Sequence, residues 1–360
     1  MYTPYFTVTN KITKYTEDIA VLLGELKTLN IPPNYRKQLI SKITAETVHS
    51  STAIEGNTLT QKQVEDVLNG KLIHAINQDI QEVKNYNEAI KLLDDIIVTR
   101  EGITEKVVRQ IHQIVLKEID RYDAGKYRTI PVKVGIYHPP EPFQIPILMK
   151  EFTNWIITPN PKNLSTFLYA GIVHYHFVEI HPFKDGNGRT SRLLTKLALL
   201  QKGYDIRSYF SLESFYNRDR RAYYNALESA DNNRVNGNPD LTNWLEYFLY
   251  GLIIQAEGAK SRIEELNIPS NINTNVKESI TTLVHVNNHQ RQFLKLLNKN
   301  STATRGEYIK LSKLSPKAVN INLNALINME LIERHGEFKR TYYTLTVKGR
   351  GIILTHLGSV

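Results

Sequence analysis

Two apolar segments with helical spacing, TFLYAGIVHYHFVEI (166–180) and RTSRLLTKLALLQKG (189–203), are separated only by HPFKDGNG. A chain built this way is largely helical and holds a short, polar, glycine-rich loop between two apolar helices. Similar spacing recurs in YRKQLISKITAETVHSSTAIE, QDIQEVKNYNEAIKLLDDII, ITEKVVRQIHQIVLKEI, LMKEFTNWII, YYNALESA and LTNWLEYFLYGLII. Pro32-Pro33-Asn34 stops one helix and opens the next, which runs to Gly56. Thr60 and Gln63 have capping-box spacing and open a short helix ending near Gly70. The one β excursion is GKYRTIPVKVGIYHPPEPFQIP, where Val132, Val134 and Ile136 alternate as in a short strand or hairpin.

Several function classes fall away at once. The 360 residues contain no cysteine, which excludes disulfides and thiolate metal sites. No apolar run approaches the ~20 residues of a membrane span. The opening MYTPYFTVTN has no basic region ahead of an apolar core, so a cytoplasmic protein without membrane association is expected.

The net charge of +9 is uneven. Residues 283–360 hold twelve Lys and Arg against four Asp and Glu, and the rest of the chain thirty-three against thirty-two. A basic C-terminal module with its own partner is therefore expected. Its pattern is helix, turn, helix, then an apolar helix ending in MELIERHG, then a hairpin with a basic tip, which is the sequence shape of a winged helix. The expected organisation is an N-terminal helical extension over 1–95, a main domain over 96–255, a polar connector over 256–282 containing PSNINTN, and the C-terminal module over 283–360.

The loop HPFKDGNGRTSR carries the chemistry. Gly186 and Gly188 let backbone N–H groups turn inward just where a helix begins, which suits an anion. Arg189 and Arg192 lie three apart on that helix, near its start, and guanidinium groups grip phosphate oxygens bidentately. Asp185 beside a bound phosphate becomes useful when Mg²⁺ bridges the two, although it also suits a plain helix cap. His181 has the chemistry to take a proton from an attacking hydroxyl. Each feature alone has a bland reading as turn, solvated arginine or core histidine. Together they point to a nucleoside triphosphate with Mg²⁺ and a hydroxyl nucleophile, leaving open which phosphorus is attacked. A metal site of His174, His176 and His181 is disfavoured, because helical residues two apart face away from each other.

HPFKDGNGRTSR resembles the signature of the Fic family, His-x-Phe-x-(Asp/Glu)-Gly-Asn-Gly-Arg-x-x-Arg, at every fixed position. The resemblance implies a Fic-type helical bundle with a β-hairpin flap, and AMP transfer from ATP to a Tyr, Thr or Ser hydroxyl of a protein. It implies His181 as general base and Asp185 as ligand of Mg²⁺, with Mn²⁺ an alternative. It also implies Gly186, Asn187 and Gly188 as the phosphate cradle, Arg189 on the phosphate chain and Arg192 on the γ-phosphate. Residues around 132–146 resemble the flap, which would hold the target by strand addition. Tyr223 and Tyr224 fall where family members line the adenine pocket.

STAIEGN (51–57) resembles the family's inhibitory motif, (Ser/Thr)-x-x-x-Glu-(Gly/Asn). Physics gives an independent hint: Glu55, expected in a last helical turn, faces the negative end of the helix dipole at a cost of a few tenths of a kcal/mol and wants a cation. The resemblance supplies Arg192, so Ser51 and Glu55 would form an autoinhibitory element. Other readings are transfer of another phosphate-linked group, removal of AMP by the same site, or a DNA-binding regulator that senses nucleotide. Residues 283–360 would then bind DNA or a protein, and a homodimer is also compatible.

Overall fold

A computed structural model of the chain describes residues 2–29, 31, 33–135, 137–157, 164–235, 237–266, 287–336 and 341–346. They fall into two compact units, Met1–Ile263 and Glu264–Val360.

The first unit is helical: α1 (Asn10–Thr28), α2 (Pro33–Ile54), α3 (Gln61–Leu68), α4 (Asn77–Thr99), α5 (Glu105–Val115), α6 (Ile145–Ile157), α7 (Thr166–Ile180), α8 (Asn187–Gln201), α9 (Leu212–Arg218), α10 (Arg220–Asn232) and α11 (Thr242–Leu266). α7 is buried on nearly every side, as its unbroken apolar sequence requires, and α8 packs along it. Gly171 makes the packing of α7 on α11 tight: a Cβ there would sit 2.8 Å from Leu245 and 3.0 Å from Phe248. Trp244 of α11 donates its indole N–H to the Gly171 carbonyl at 2.8 Å.

The N-terminal residues are not a separate body. Thr7 donates its amide to Thr242 at 2.8 Å, Leu241 donates to the Tyr5 carbonyl at 2.9 Å, and Thr9 and Lys11 both reach Glu246. Ile12, Ile19, Val48, Tyr86 and Leu93 share one apolar core with Phe177, Leu193 and Trp244. The expected boundary near residue 95 falls inside α4, and the stretch 256–266 expected as connector is the end of α11, because its apolar face, Ala256, Ala259 and Ile263, stays buried. PSNINTN lies outside the described residues.

The expected hairpin shrinks to its tip. Val134 and Tyr137 form one antiparallel bridge, with N–H to O distances of 3.0 and 2.9 Å, across a turn at Gly135 with φ 59°. Ile136 lies outside the described residues. Among the described residues no strand extends the bridge, because the prolines that follow offer no N–H for a ladder, and Pro142–Gln144 already form a 3-10 turn leading into α6. The capping box at Thr60 and Gln63 is present as expected.

In the second unit α12 (Asn288–Asn300), β1 (Ala303–Thr304), α13 (Arg305–Ser312), α14 (Pro316–Asn328), β2 (Ile332–His335) and β3 (Tyr342–Leu345) enclose their own core, with Phe293 stacked on Tyr308 at 4.1 Å. The sheet order is β1-β3-β2, both pairings antiparallel. Three helices are followed by the antiparallel pair β2 and β3, where helix, turn, helix, a further apolar helix and a hairpin were expected. However, MELIERHG is no helix: α14 stops at Asn328 and Ile332–His335 is strand. The expected basic tip, Lys339 and Arg340, lies outside the described residues.

Replacing Gly171 by Val should lower the urea midpoint of the first unit, by an overpacking cost of about 1–3 kcal/mol. A circular-dichroism melt with an unchanged midpoint would show that α7 and α11 do not pack this closely.

Candidate functional site

α7 ends at Ile180, and His181 turns the chain with φ 48° and ψ 58°. This left-handed conformation costs a non-glycine residue about 1–3 kcal/mol and persists only where the surroundings impose it. Three bonds do so. The His181 amide donates to Phe177 O at 3.0 Å, its carbonyl accepts from Arg128 Nε at 2.9 Å, and its ring Nδ1 faces Val178 O at 3.3 Å. With a carbonyl opposite, Nδ1 carries the proton and Nε2 keeps its lone pair. Burial above all lowers the imidazole pKa to about 4, with the Arg128 charge adding to it. At neutral pH the ring is an uncharged base with its lone pair on Nε2.

The loop beyond is braced from both sides. The Asn187 amide side chain accepts from Phe183 N at 2.9 Å and donates to Phe183 O at 2.8 Å. His112 of α5 stacks on Phe183 at 3.6 Å and contacts Asp185 O through Nε2 at 2.8 Å. Its Nδ1 accepts from Gly125 N at 2.9 Å, so Nε2 is the protonated nitrogen. Burial first, then Arg189, lowers the His112 pKa to about 4. Gly186, with φ 77°, begins α8, and the first helical bond runs from Thr190 N to Gly186 O. The amides of Asn187, Gly188 and Arg189 therefore precede the helical ladder, as an anion site requires.

Both arginines are buried at 2% exposure and already hold carboxylates. Arg189 donates to Asp185 Oδ2 at 3.0 Å and lies 3.5 Å from Glu82. Its Nε and Nη1 are buried without a hydrogen-bond partner. Arg192 donates Nε to Ser51 Oγ at 2.8 Å, and Nη2 to Ser51 O at 2.9 Å and to Glu55 Oε1 at 2.8 Å. Burial opposes its charge, and the Glu55 carboxylate more than offsets this, holding the guanidinium firmly protonated. Glu55 follows the last residue of α2 and lies over the start of α8, so a Cβ at Gly188 would collide with its carboxylate. Asn57 ties this turn to α4, donating to Asp79 O at 3.0 Å and Glu82 Oε2 at 2.9 Å.

The residues singled out by sequence thus converge, with one correction. Tyr223 is 2% exposed, stacks on Tyr216 at 4.5 Å and contacts His174 Nε2 at 2.9 Å, so it offers no surface to an adenine. It packs because its place on α10 faces the core. Tyr224 is 41% exposed, with its hydroxyl 3.5 Å from Ile54 O. His112, Arg128, Glu82 and Asn57 were missed. His112 alone left a signal, a polar residue on the buried face of α5 with Val108, Ile111 and Val115.

Residues 102–199 match the Fic/DOC family. This part of the chain is similar to a Fic domain. The chain is similar to the protein adenylyltransferase Fic of Drosophila virilis, 37% identical over 163 residues, which is 44% of this chain and 33% of that protein. The Drosophila melanogaster protein of the same name is 36% identical over 163 residues, 44% of this chain and 32% of its own. The chain spans about a third of the length of these curated relatives. Among solved structures, a Fic family protein from Desulfovibrio desulfuricans superposes with TM-score 0.62 at 24% identity, covering 96% of this chain and 98% of that one. Fic-1 from C. elegans superposes with TM-score 0.58 at 24% identity, covering 71% and 72%. These likenesses establish the fold: a mostly helical Fic bundle.

Both histidines resist protonation in the folded chain, whereas unfolded they titrate near 6.5. Their contribution is complete above pH ~6.5 and is lost as pH falls toward 4, by a few kcal/mol at most. Urea midpoints should drop between pH 7 and pH 5, and His112→Asn should flatten the slope. A slope identical in wild type and variant would show that His112 is not held neutral.

Proposed function

We propose that the chain moves AMP from ATP to the hydroxyl of a Tyr, Thr or Ser side chain on a protein, itself included, with release of pyrophosphate. One observation carries this reading. A single loop joins a neutral imidazole with a free Nε2 to a helix start whose buried Arg192 is held by Glu55 and Ser51. The relatives named protein adenylyltransferase support it.

In this reading His181 Nε2 takes the proton as the target oxygen bonds to the α-phosphorus. The bond from that phosphorus to the bridging oxygen breaks, and pyrophosphate leaves with the electron pair. The open amides of Asn187, Gly188 and Arg189 cradle the phosphates, and Arg189 offers its Nε, which has no hydrogen-bond partner, to the chain. Tyr224, the exposed one of the two tyrosines, would meet the base, and the turn at Val134–Tyr137 would offer backbone to the target. The Asp185 carboxylate, 63% exposed beside the loop, fits a hard divalent cation shared with phosphate oxygens, Mg²⁺ or Mn²⁺. When bound, such an ion would offset phosphate charge.

Glu55 and Ser51 hold the guanidinium that the γ-phosphate needs, so the end of α2 acts as a brake, and ATP binding with Glu55 in place is unproductive. Run backwards with pyrophosphate as the attacking group, the same site would move AMP from a modified protein onto pyrophosphate, regenerating ATP and the side-chain hydroxyl.

With ATP labelled on the α-phosphate, Glu55→Gly should label protein about tenfold or more above wild type, and adding His181→Ala should reduce this by about 10²–10⁴-fold. Silence of Glu55→Gly with ATP, alongside signal from UTP or CDP-choline, would assign another transferred group.

A second reading concerns the C-terminal unit. α14 contains no Asp or Glu, and its exposed stripe is Lys317, Asn320, Ile321, Asn324 and Asn328, with Ile321 63% exposed. Amides, a lone apolar group and flanking Arg305, Lys313 and Lys317 suit a DNA major groove. Anisotropy with a labelled duplex of about 30 base pairs should show binding that weakens steeply with salt, and less binding by Lys317→Glu. No binding at low salt would sink this reading.

A further inference from the structure

One buried cation in the first unit, with Glu141 as its nearest opposite charge, makes no direct ion pair among the described residues. Arg128 is 5% exposed, and no carboxylate lies within ion-pair distance of it among the described residues. Burying an unpaired guanidinium is costly unless every donor is used. Here the planar fork reaches three carbonyls on three segments. Nε donates to His181 O at 2.9 Å, Nη1 to Ile130 O at 3.1 Å and Nη2 to Pro140 O at 2.5 Å. Its own amide donates to Pro182 O at 2.9 Å.

The geometry of those acceptors is informative. Ile130 and Pro140 are the two feet of the segment whose tip is the Val134–Tyr137 turn. His181 O belongs to the residue forced into the left-handed conformation, two positions after the Glu179 carbonyl, which accepts the Tyr137 hydroxyl at 2.9 Å. One side chain thus closes the base of the turn and fixes the backbone of His181, while Tyr137 ties the tip to the same helix end. A lysine has the charge but no rigid fork to span three directions.

We propose that Arg128 is a positioning residue that locks the flap-like turn and His181 into one unit, so that a hydroxyl presented on the turn meets Nε2 in register. The proposal rests on the reading that His181 is the base and the turn receives the target. It does not require Arg128 to touch nucleotide.

The test uses the full chain with Glu55→Gly, alone and with Arg128→Gln or Arg128→Lys. Two readouts are independent of catalysis: deuterium uptake of peptides covering 130–140, and the acid titration of the His181 ring by NMR, assigned with His181→Ala. In Arg128→Gln the turn should exchange faster and the His181 titration should move to higher pH, both without global unfolding. Arg128→Lys should restore the titration but not the protection. Self-labelling by α-labelled ATP should fall on the order of a hundredfold in Arg128→Gln, with ATP affinity by calorimetry within about twofold of the parent, the mark of lost orientation rather than lost binding. Unchanged uptake at 130–140 together with an unchanged His181 titration would overturn the proposal whatever the activity. A fall in ATP affinity and melting temperature equal to the fall in labelling would reduce Arg128 to a general staple and also overturn it. If the Glu55→Gly parent labels nothing while uptake and titration respond as expected, the adenylyl-transfer reading fails and the lock stands.

Discussion

The site depends on a charge that the fold cannot leave alone. Arg192 lies on α8 beneath its first turn, 2% exposed, surrounded by Tyr86, Tyr223 and His174. A guanidinium in such surroundings must be satisfied by hydrogen bonds and a counter-charge or the helix pair would not close around it. Ser51 and Glu55 supply both, and they can do so only because the second half of α2 is buried against this region. Much of the local sequence follows from that pairing. Gly188 has no Cβ because the Glu55 carboxylate fills its space, and Asn57 secures the following turn through Glu82, which lies close to Arg189 in turn.

Histidines around the loop show how burial chooses a protonation state. His181, His112 and His174 all have their proton affinity lowered by desolvation first. Each has its tautomer fixed by a neighbour: Val178 O for His181, the Gly125 amide for His112, and for His174 Thr195, whose own hydroxyl proton goes to Ser191 O. In the proposed reaction the loop would present one lone pair and one set of amides, and neutral His181, His112 and His174 would not compete for its anion.

What could be read from sequence had local causes. The helices carry their 3.6-residue spacing in the residues themselves, so α7 and the capping box opening α3 were legible. The motif loop was legible because glycines, arginines and the histidine are contiguous, and Glu55 because a carboxylate at a helix end asks for a cation. The rest depended on long-range contacts. Alternation at Val132 and Val134 suggested a hairpin, but the prolines beyond it allow only one bridge. Tyr223 and Tyr224 are adjacent in sequence, and only packing decides which faces the core. Arg128 holds three carbonyls, and backbone acceptors leave no trace in residue identity.

The carboxylate that fills the Arg192 fork belongs to the same chain, held two residues before the Asn57 anchor. It is therefore not diluted when the protein is. A tethered group acts at an effective concentration of about the millimolar range, fixed by geometry. In the proposed function an incoming anion would work against that constant local presence, and its occupancy of the fork would depend on how often the last turn of α2 lifts, a unimolecular event. Altering the stability of that one turn would reset the threshold without changing any group that meets the anion.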